Sequence, residues 1–228
     1  MLFGNTAKAE VPVVFDHLAK DLSYTLLNYP ALLVIGGGIA AGGFTQIDER
    51  IHGHFKNGNI MGKPSTILNQ FGQIYVVDSS AAMLWGIAEI AGSKKLALTG
   101  ETLVETLFWT ETTTVGLKVV FRRTRPDGEK YSFPSGHTSR AFAVAAALET
   151  MHGPLIGIPA FLLASCAGFA RIEKNHHFLS DVIFGAAWGS AIGWGTATFH
   201  KNNKLSEEKI SFIPSIGSGP GLTVTYRF

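Results

Sequence analysis

Charged positions are spaced unevenly along this 228-residue chain, and the gaps between them define its elements. A helix needs about 18–20 uncharged residues to cross hydrocarbon. Three runs reach that length: residues 22–47 between Asp21 and Asp48, residues 153–170, and residues 182–199 between Asp181 and Lys201. Three further stretches have helical spacing but carry charge. Residues 79–88 lie between Asp78 and Glu89, and 74–77, before Asp78, extend them. Residues 96–121 contain Glu101, Glu105, Glu111 and Lys118, with Leu103, Leu107, Thr114, Leu117 and Phe121 recurring on one face. Residues 139–149 are bounded by Arg140 and Glu149. Charge at bilayer depth is costly and turns toward a bundle interior or a polar cavity. The pattern therefore predicts an all-α chain: a helical bundle of about six helices, three of them strong membrane spans and three amphipathic or interior. A soluble bundle with fully buried helices is the alternative.

Turn signals divide these runs. Residues 12–20 read as an amphipathic lead-in helix, and 47–73 as a glycine-bearing loop with a short helix. Residues 122–134 form a basic, proline-punctuated loop, and Ser135 is a natural N-cap for a helix over 135–151. The last two helices fall at 154–172 and 178–200. The tail differs in kind. Prolines and glycines precede Leu222, and residues 222–228 alternate with a period of two, as a β-strand does. One strand cannot close a barrel, so the tail is expected to be a hairpin or to fold against the rest. This gives a helical domain over 1–202 and a tail over 203–228. Residues 1–21 lack a basic start followed by an apolar core, so no cleavable signal is expected there, and export would fall to the 22–47 helix.

Composition narrows the class. The hydrophobic share is 46% and the charged share 16%, against about 25% charged in an average soluble domain. The mean hydropathy is +0.21. A net charge of +2 gives no reason to expect a nucleic-acid partner. Cys166, the one cysteine, excludes an intramolecular disulfide and a thiolate metal cage built from this chain alone. His52 and His54 stand in a loop without a carboxylate cluster, so no metal site is expected there.

Three groups of residues carry chemistry. Lys118 is followed after six residues by Arg125 and Pro126, with Arg122 and Arg123 between. Arg suits bidentate phosphate binding and Lys supplies a compact charge, although a basic loop at a cytoplasmic membrane face has the same composition. Next comes Pro134-Ser135-Gly136-His137. At a loop-to-helix junction it would present free backbone N–H groups to an anion, with His137 just inside the helix. The ordinary reading is a plain N-cap with a solvent-facing His. Last come Arg171, His177 and Asp181. Four residues apart on a helix, His177 and Asp181 would share a face, with the carboxylate fixing the imidazole tautomer. A surface pair or a helix cap has the same spacing. His176 competes, but its i+4 neighbour is Ser180.

Taken in order, Lys-x6-Arg-Pro, Pro-Ser-Gly-His and Arg-x5-His-x3-Asp resemble the three-part signature of the type 2 phosphatidic acid phosphatase superfamily, in its bacterial membrane lipid phosphatase branch. That superfamily also holds class A acid phosphatases and vanadium haloperoxidases, the last usually much larger. The resemblance covers residues 118–181. It departs at Ala170, where the third motif often has Ser, and in the short stretch between Pro126 and Pro134. It implies a metal-independent phosphatase with no cofactor. His177 would be the nucleophile that forms a phosphohistidine, Asp181 its orienting partner, and His137 the acid for the leaving group. Lys118, Arg125, Arg171 and the backbone N–H groups of Ser135 and Gly136 would hold the phosphoryl oxygens. Arg140 falls outside the signature and reads as a structural or entrance residue.

The implied substrate is a membrane lipid phosphate or diphosphate: phosphatidylglycerol phosphate, phosphatidate, undecaprenyl diphosphate or a lipid A phosphate. The lipid bilayer is the implied partner. The implied place is the bacterial inner membrane with the site facing the periplasm, although the basic residues at 122–130 alone would favour the cytoplasmic face. The alternative is a soluble or peripheral periplasmic acid phosphatase of broad specificity.

Overall fold

The computed structural model describes residues 20, 22–55, 72–203, 210–216 and 220–226, those beyond 202 by backbone alone. Residues 12–19 of the expected lead-in and most of the loop at 47–73 lie outside them. Six long helices are present among the described residues: α1 (Tyr29–Phe44), α3 (Ile74–Ile90), α4 (Lys94–Phe121), α5 (Gly136–His152), α6 (Pro154–Glu173) and α7 (Leu179–Asn203). A short α2 (Asp48–Phe55) follows α1 across a 70° bend. It is the short helix expected in the 47–73 loop. Local chemistry sets the boundaries. Pro30 opens α1, where a missing N–H costs nothing. Gly153, with φ +81°, separates α5 from α6, and Pro154 then starts α6. Lys94–Phe121 runs for 28 residues, about 42 Å at 1.5 Å per residue, and ends where Arg122 turns left-handed.

α7 runs through the middle, packed on α1, α4, α5 and α6. Glycines let it approach α5 closely. A Cβ on Gly189 would stand 1.9 Å from the Ser139 carbonyl oxygen, and one on Gly193 would stand 2.2 Å from that of Ala143. Gly185 repeats the contact against Ser135. The repeat every four residues is the small-residue seam that brings two helix backbones together in bilayers. Gly189→Ala is therefore expected to force the helices apart and cost about 1–3 kcal/mol. A fall in thermal midpoint in detergent would show it, and an unchanged midpoint would count against the seam.

Polarity runs inside out. Thr99, Thr102, Thr106, Thr110 and Thr114 form a buried stripe along α4, while Phe108, Val115 and Val119 of the same helix face outward. Leu155, Ile158 and Leu162 on α6 and Ile87 and Ile90 on α3 are also exposed, Leu155 by 90%. Charges inside the helices turn inward and pair, Glu111 with Arg140 and Glu105 with His200. Water is a poor solvent for such an exterior and hydrocarbon a good one, so we read the bundle as a membrane protein. By length and hydropathy, among the described residues, α6 alone qualifies as a span, and α1 qualifies together with α2. The 182–199 run, expected as a third strong span, falls short by that test. It belongs to the central helix, whose Gly, Ala, Ser and Trp positions are chosen for packing against protein.

The tail forms an antiparallel hairpin, β1 (Ile210–Ile216) with β2 (Pro220–Tyr226), in which Phe212 stands opposite Val224. The alternating segment is thus a strand, shifted two residues toward the N-terminus. Its partner strand contains Pro214 and has no comparable alternation signal.

Candidate active site

One end of the bundle gathers all three motif groups. Lys118 sits in the last turn of α4, Arg125 in the following loop, and Ser135 at the N-cap of α5, with Gly136 and His137 opening that helix. Arg171 is in the last turn of α6, and Asp181 in the first turn of α7. Each group stands at a helix end because the apolar runs between them must fill the bundle.

His177 lies outside a helix, two residues before α7 begins, and is 2% exposed. Its neighbour Asn175 takes the left-handed conformation that ends α6, and the Arg171 carbonyl then accepts from the His176 and His177 N–H groups. The expectation that His177 and Asp181 share a helical face is corrected here: the loop reaches the same juxtaposition by folding over the start of α7. His177 Nδ1 stands 3.8 Å from Asp181 Oδ2, and Ser132 Oγ is 3.5 Å from that nitrogen. Asp181 is fully buried and well supplied with donors. Its Oδ2 accepts from Ser132 Oγ at 2.5 Å and from the Phe178 N–H at 2.9 Å, and its Oδ1 accepts from Arg123 Nη1 at 2.7 Å.

Burial pushes the His177 imidazole down to about 4, with the Lys118 and Arg171 charges acting in the same direction and Asp181 opposing them. It is neutral at pH 7 and therefore nucleophilic. Lys118, Arg125 and Arg171 act on one another electrostatically, which marks a shared cationic region. The Lys118 chain passes the start of α5, its Cε 3.7 Å from where a Gly136 Cβ would be, and Nζ donates to the Tyr131 carbonyl at 2.7 Å. Arg125 Nη1 pairs with Glu129 at 2.5 Å. His137 stands beside Arg171 and Arg140, and its buried Nε2 has no hydrogen-bond partner among the described residues.

The expectation that both amides of Ser135 and Gly136 face the anion needs correction. The Ser135 N–H donates to the Asp181 carbonyl at 3.1 Å, fastening α5 to α7. Its hydroxyl accepts from Thr138 at 2.9 Å. Of the two amides expected to face the anion, that leaves Gly136's, in the first turn of α5.

Four residues around Asp181 escaped the sequence reading. Arg123 stood among several loop cations, Ser180 only as the i+4 neighbour of His176, and Asp48 as the edge of an apolar run, while Ser132 carried no signal. The available signal for Asp48 was a carboxylate directly abutting a 26-residue uncharged run. His52 belongs to this neighbourhood too, with Nδ1 3.1 Å from Asn175 Oδ1 and its ring edge-on to Phe178. His176 points away, to Asp127 at 2.8 Å, where the imidazole and the Glu129 amide hold that carboxyl below its ordinary value against the opposing effect of burial.

A buried histidine–carboxylate pair under three cations, on a helical bundle of inverted polarity, defines a class. Residues 101–205 match the PAP2 superfamily, and the motif residues all fall inside that stretch. The resemblance to the type 2 phosphatidic acid phosphatases is thereby borne out. A lipid A 1-phosphatase of Porphyromonas gingivalis is 42% identical over 80 residues. That alignment covers 33% of this chain and 18% of the relative, so this chain spans under a fifth of that protein. The fold is that of the transmembrane PAP2-type phosphatidylglycerolphosphate phosphatase of Bacillus subtilis, with a TM-score of 0.63 at 20% identity over 80% of this chain and 96% of the other. Aquifex aeolicus LpxE superposes with a TM-score of 0.54 at 24% identity, over 67% of this chain and 95% of the other.

Proposed function

We propose that the protein is a metal-independent phosphatase that removes phosphate from a membrane lipid phosphate or diphosphate through a phosphohistidine. With Nδ1 turned to Asp181, His177 keeps Nε2 for attack on phosphorus. The N–P bond forms as the P–O bond to the lipid breaks. His137 gives its proton to the departing oxygen, then takes one from the water that hydrolyses the phosphohistidine. Lys118, Arg125, Arg171 and the Gly136 amide hold the equatorial oxygens. Charge neutralisation and positioning are the main needs of this transition state. The incoming phosphate dianion favours the protonated imidazole of His137, which otherwise sits among cations.

The observation that carries the lipid reading lies along α5. Ala141, Val144, Ala145 and Leu148 follow His137 at helical spacing and line an apolar cleft of about 400 Å³ between α3, α5 and α6. The cleft begins one helical turn along α5 from His137, on a bundle whose exterior suits lipid. This favours a lipid substrate over the small esters of a soluble acid phosphatase. The P. gingivalis and B. subtilis relatives, by their names, are phosphatases of lipid A and of phosphatidylglycerol phosphate. By analogy with the lipid branch, the site faces the periplasm from the inner membrane.

The test is phosphate release from a panel of phospholipid monophosphates, lipid A and prenyl diphosphates in detergent micelles, beside a soluble phosphoester and the His177→Ala variant. Release from a lipid class, absent in the variant, is expected. Release from the soluble ester alone would overturn the lipid reading. The pH profile gives a second check. A neutral His177 is required, so the acid limb of kcat/KM, corrected for the substrate's own second ionisation near pH 6, should lie at about 4, while the proton that His137 must carry bears on the alkaline side. A corrected limb near pH 6.5, the ordinary imidazole value, would show that the titrating nucleophile is not this buried group.

A further inference from the structure

One set of charges has no part in that scheme. Arg123 joins two buried carboxylates carried by different helices. Its Nη1 donates to Asp181 Oδ1 at 2.7 Å and to Ser180 Oγ at 2.6 Å, and its Nη2 donates to Asp48 Oδ2 at 2.8 Å. Its guanidinium lies over the Phe178 ring, 4.3 Å from the centroid, beside the nucleophile in sequence. Asp48 accepts again from the Ser180 N–H at 3.0 Å and the Ser180 hydroxyl at 2.5 Å. A carboxylate from α2 thereby caps the first turn of α7, the turn that carries Asp181.

The physical need for Arg123 is plain. Two desolvated carboxylates converge here, and each alone would be strongly disfavoured. A guanidinium between them offsets that cost, and its planar fork fixes their relative orientation as a lysine could not. Three of its five N–H donors are committed to this network, and a phosphate placed beside two carboxylates would meet repulsion. Arg123 therefore differs in kind from Lys118, Arg125 and Arg171, although sequence places it with them.

We propose that Arg123 and Asp48 are positioning residues of the reaction: they hold the Asp181 carboxylate, and through it the His177 imidazole, without touching the phosphoryl group. The inference rests on the phosphohistidine reading. It also gives the α1–α2 bend a purpose, because the bend delivers Asp48 to the catalytic end of α7.

The test measures kcat, KM and the inhibition constant of inorganic phosphate for the full chain in detergent, with Arg123→Gln, Arg123→Lys, Asp48→Asn and Arg125→Gln. Arg123→Gln is expected to lower kcat about 10–100-fold, as loss of an orienting partner commonly does. Its KM and phosphate inhibition constant should stay within about threefold, because no ground-state contact is lost. Arg125→Gln should instead weaken phosphate inhibition. Arg123→Lys should recover part of kcat. Adding Asp48→Asn to Arg123→Gln should cost less than the two single losses multiplied, since both act through one carboxylate. If Arg123→Gln does not fold, Asp48→Asn and Ser180→Ala carry the same split between kcat and phosphate inhibition. Wild-type kcat in folded Arg123→Gln or Asp48→Asn would overturn the proposal, as would lost phosphate inhibition with kcat intact. A wild-type chain inactive on every phosphoester would sink the phosphatase reading, and this inference with it.

Discussion

Replacing His177 with alanine is expected to lower kcat about 10⁴-fold or more, to the floor of the assay, with the bundle intact. The size follows from the route. On the proposed route no phosphoenzyme forms without the imidazole, and water must attack directly with only the cations to help. Survival of the fold follows from the packing. His177 lies in a loop held by main-chain bonds to the Arg171 carbonyl, and its side chain is no part of the apolar core clusters. Two measurements separate the nucleophile from a bystander. Rapid quenching with a labelled substrate should trap an acid-labile phosphoenzyme in the wild type and none in the variant. His176→Ala should keep most of the activity, since its imidazole turns out to Asp127. Trapping in His177→Ala but not in His176→Ala would reverse the two assignments.

How much of this was legible from sequence depends on the range of the interaction. The helices were legible because their signals are local: charge-free runs, the prolines that open α1 and α6, the glycine that closes α5. The motif residues were legible because their spacing along the chain is itself the signal. The support behind them was not. Asp48 and Arg123 are 75 positions apart and meet only because α1 bends by 70° into α2. Nothing near Asp48 in sequence marks it as a cap for a helix more than a hundred residues away. The Ser135 amide shows the opposite failure. A helix N-terminus reads as an anion site, and only the tertiary fold reveals that the Asp181 carbonyl already occupies that donor. The hydropathy of α7 misled for a related reason. Apolar composition measures burial, and a helix in the middle of a bundle is buried by protein.

Asp181→Asn tests that support most directly, and we expect it to lower kcat about 10³–10⁴-fold, the scale found when the aspartate of a catalytic triad becomes an amide. Here the carboxylate oxygens accept from Ser132, the Phe178 N–H and Arg123, and one of them faces His177 Nδ1. Every partner is a donor. An amide nitrogen at Oδ2 would point N–H groups at the Ser132 hydroxyl and the Phe178 amide. At Oδ1 it would point them at the Arg123 guanidinium. Neither rotamer satisfies all donors, so at least one buried group goes without an acceptor, at a cost of about 1–3 kcal/mol in stability. The chemical loss comes on top of this. On the proposed route positive charge spreads over the ring as phosphorus bonds to Nε2, and an anion at Nδ1 stabilises it. The variant should therefore show a lower thermal midpoint, a large fall in kcat and a modest change in KM. A fully active Asp181→Asn enzyme would mean that the imidazole needs no anionic partner, and the assignment of His177 as nucleophile would fall with it.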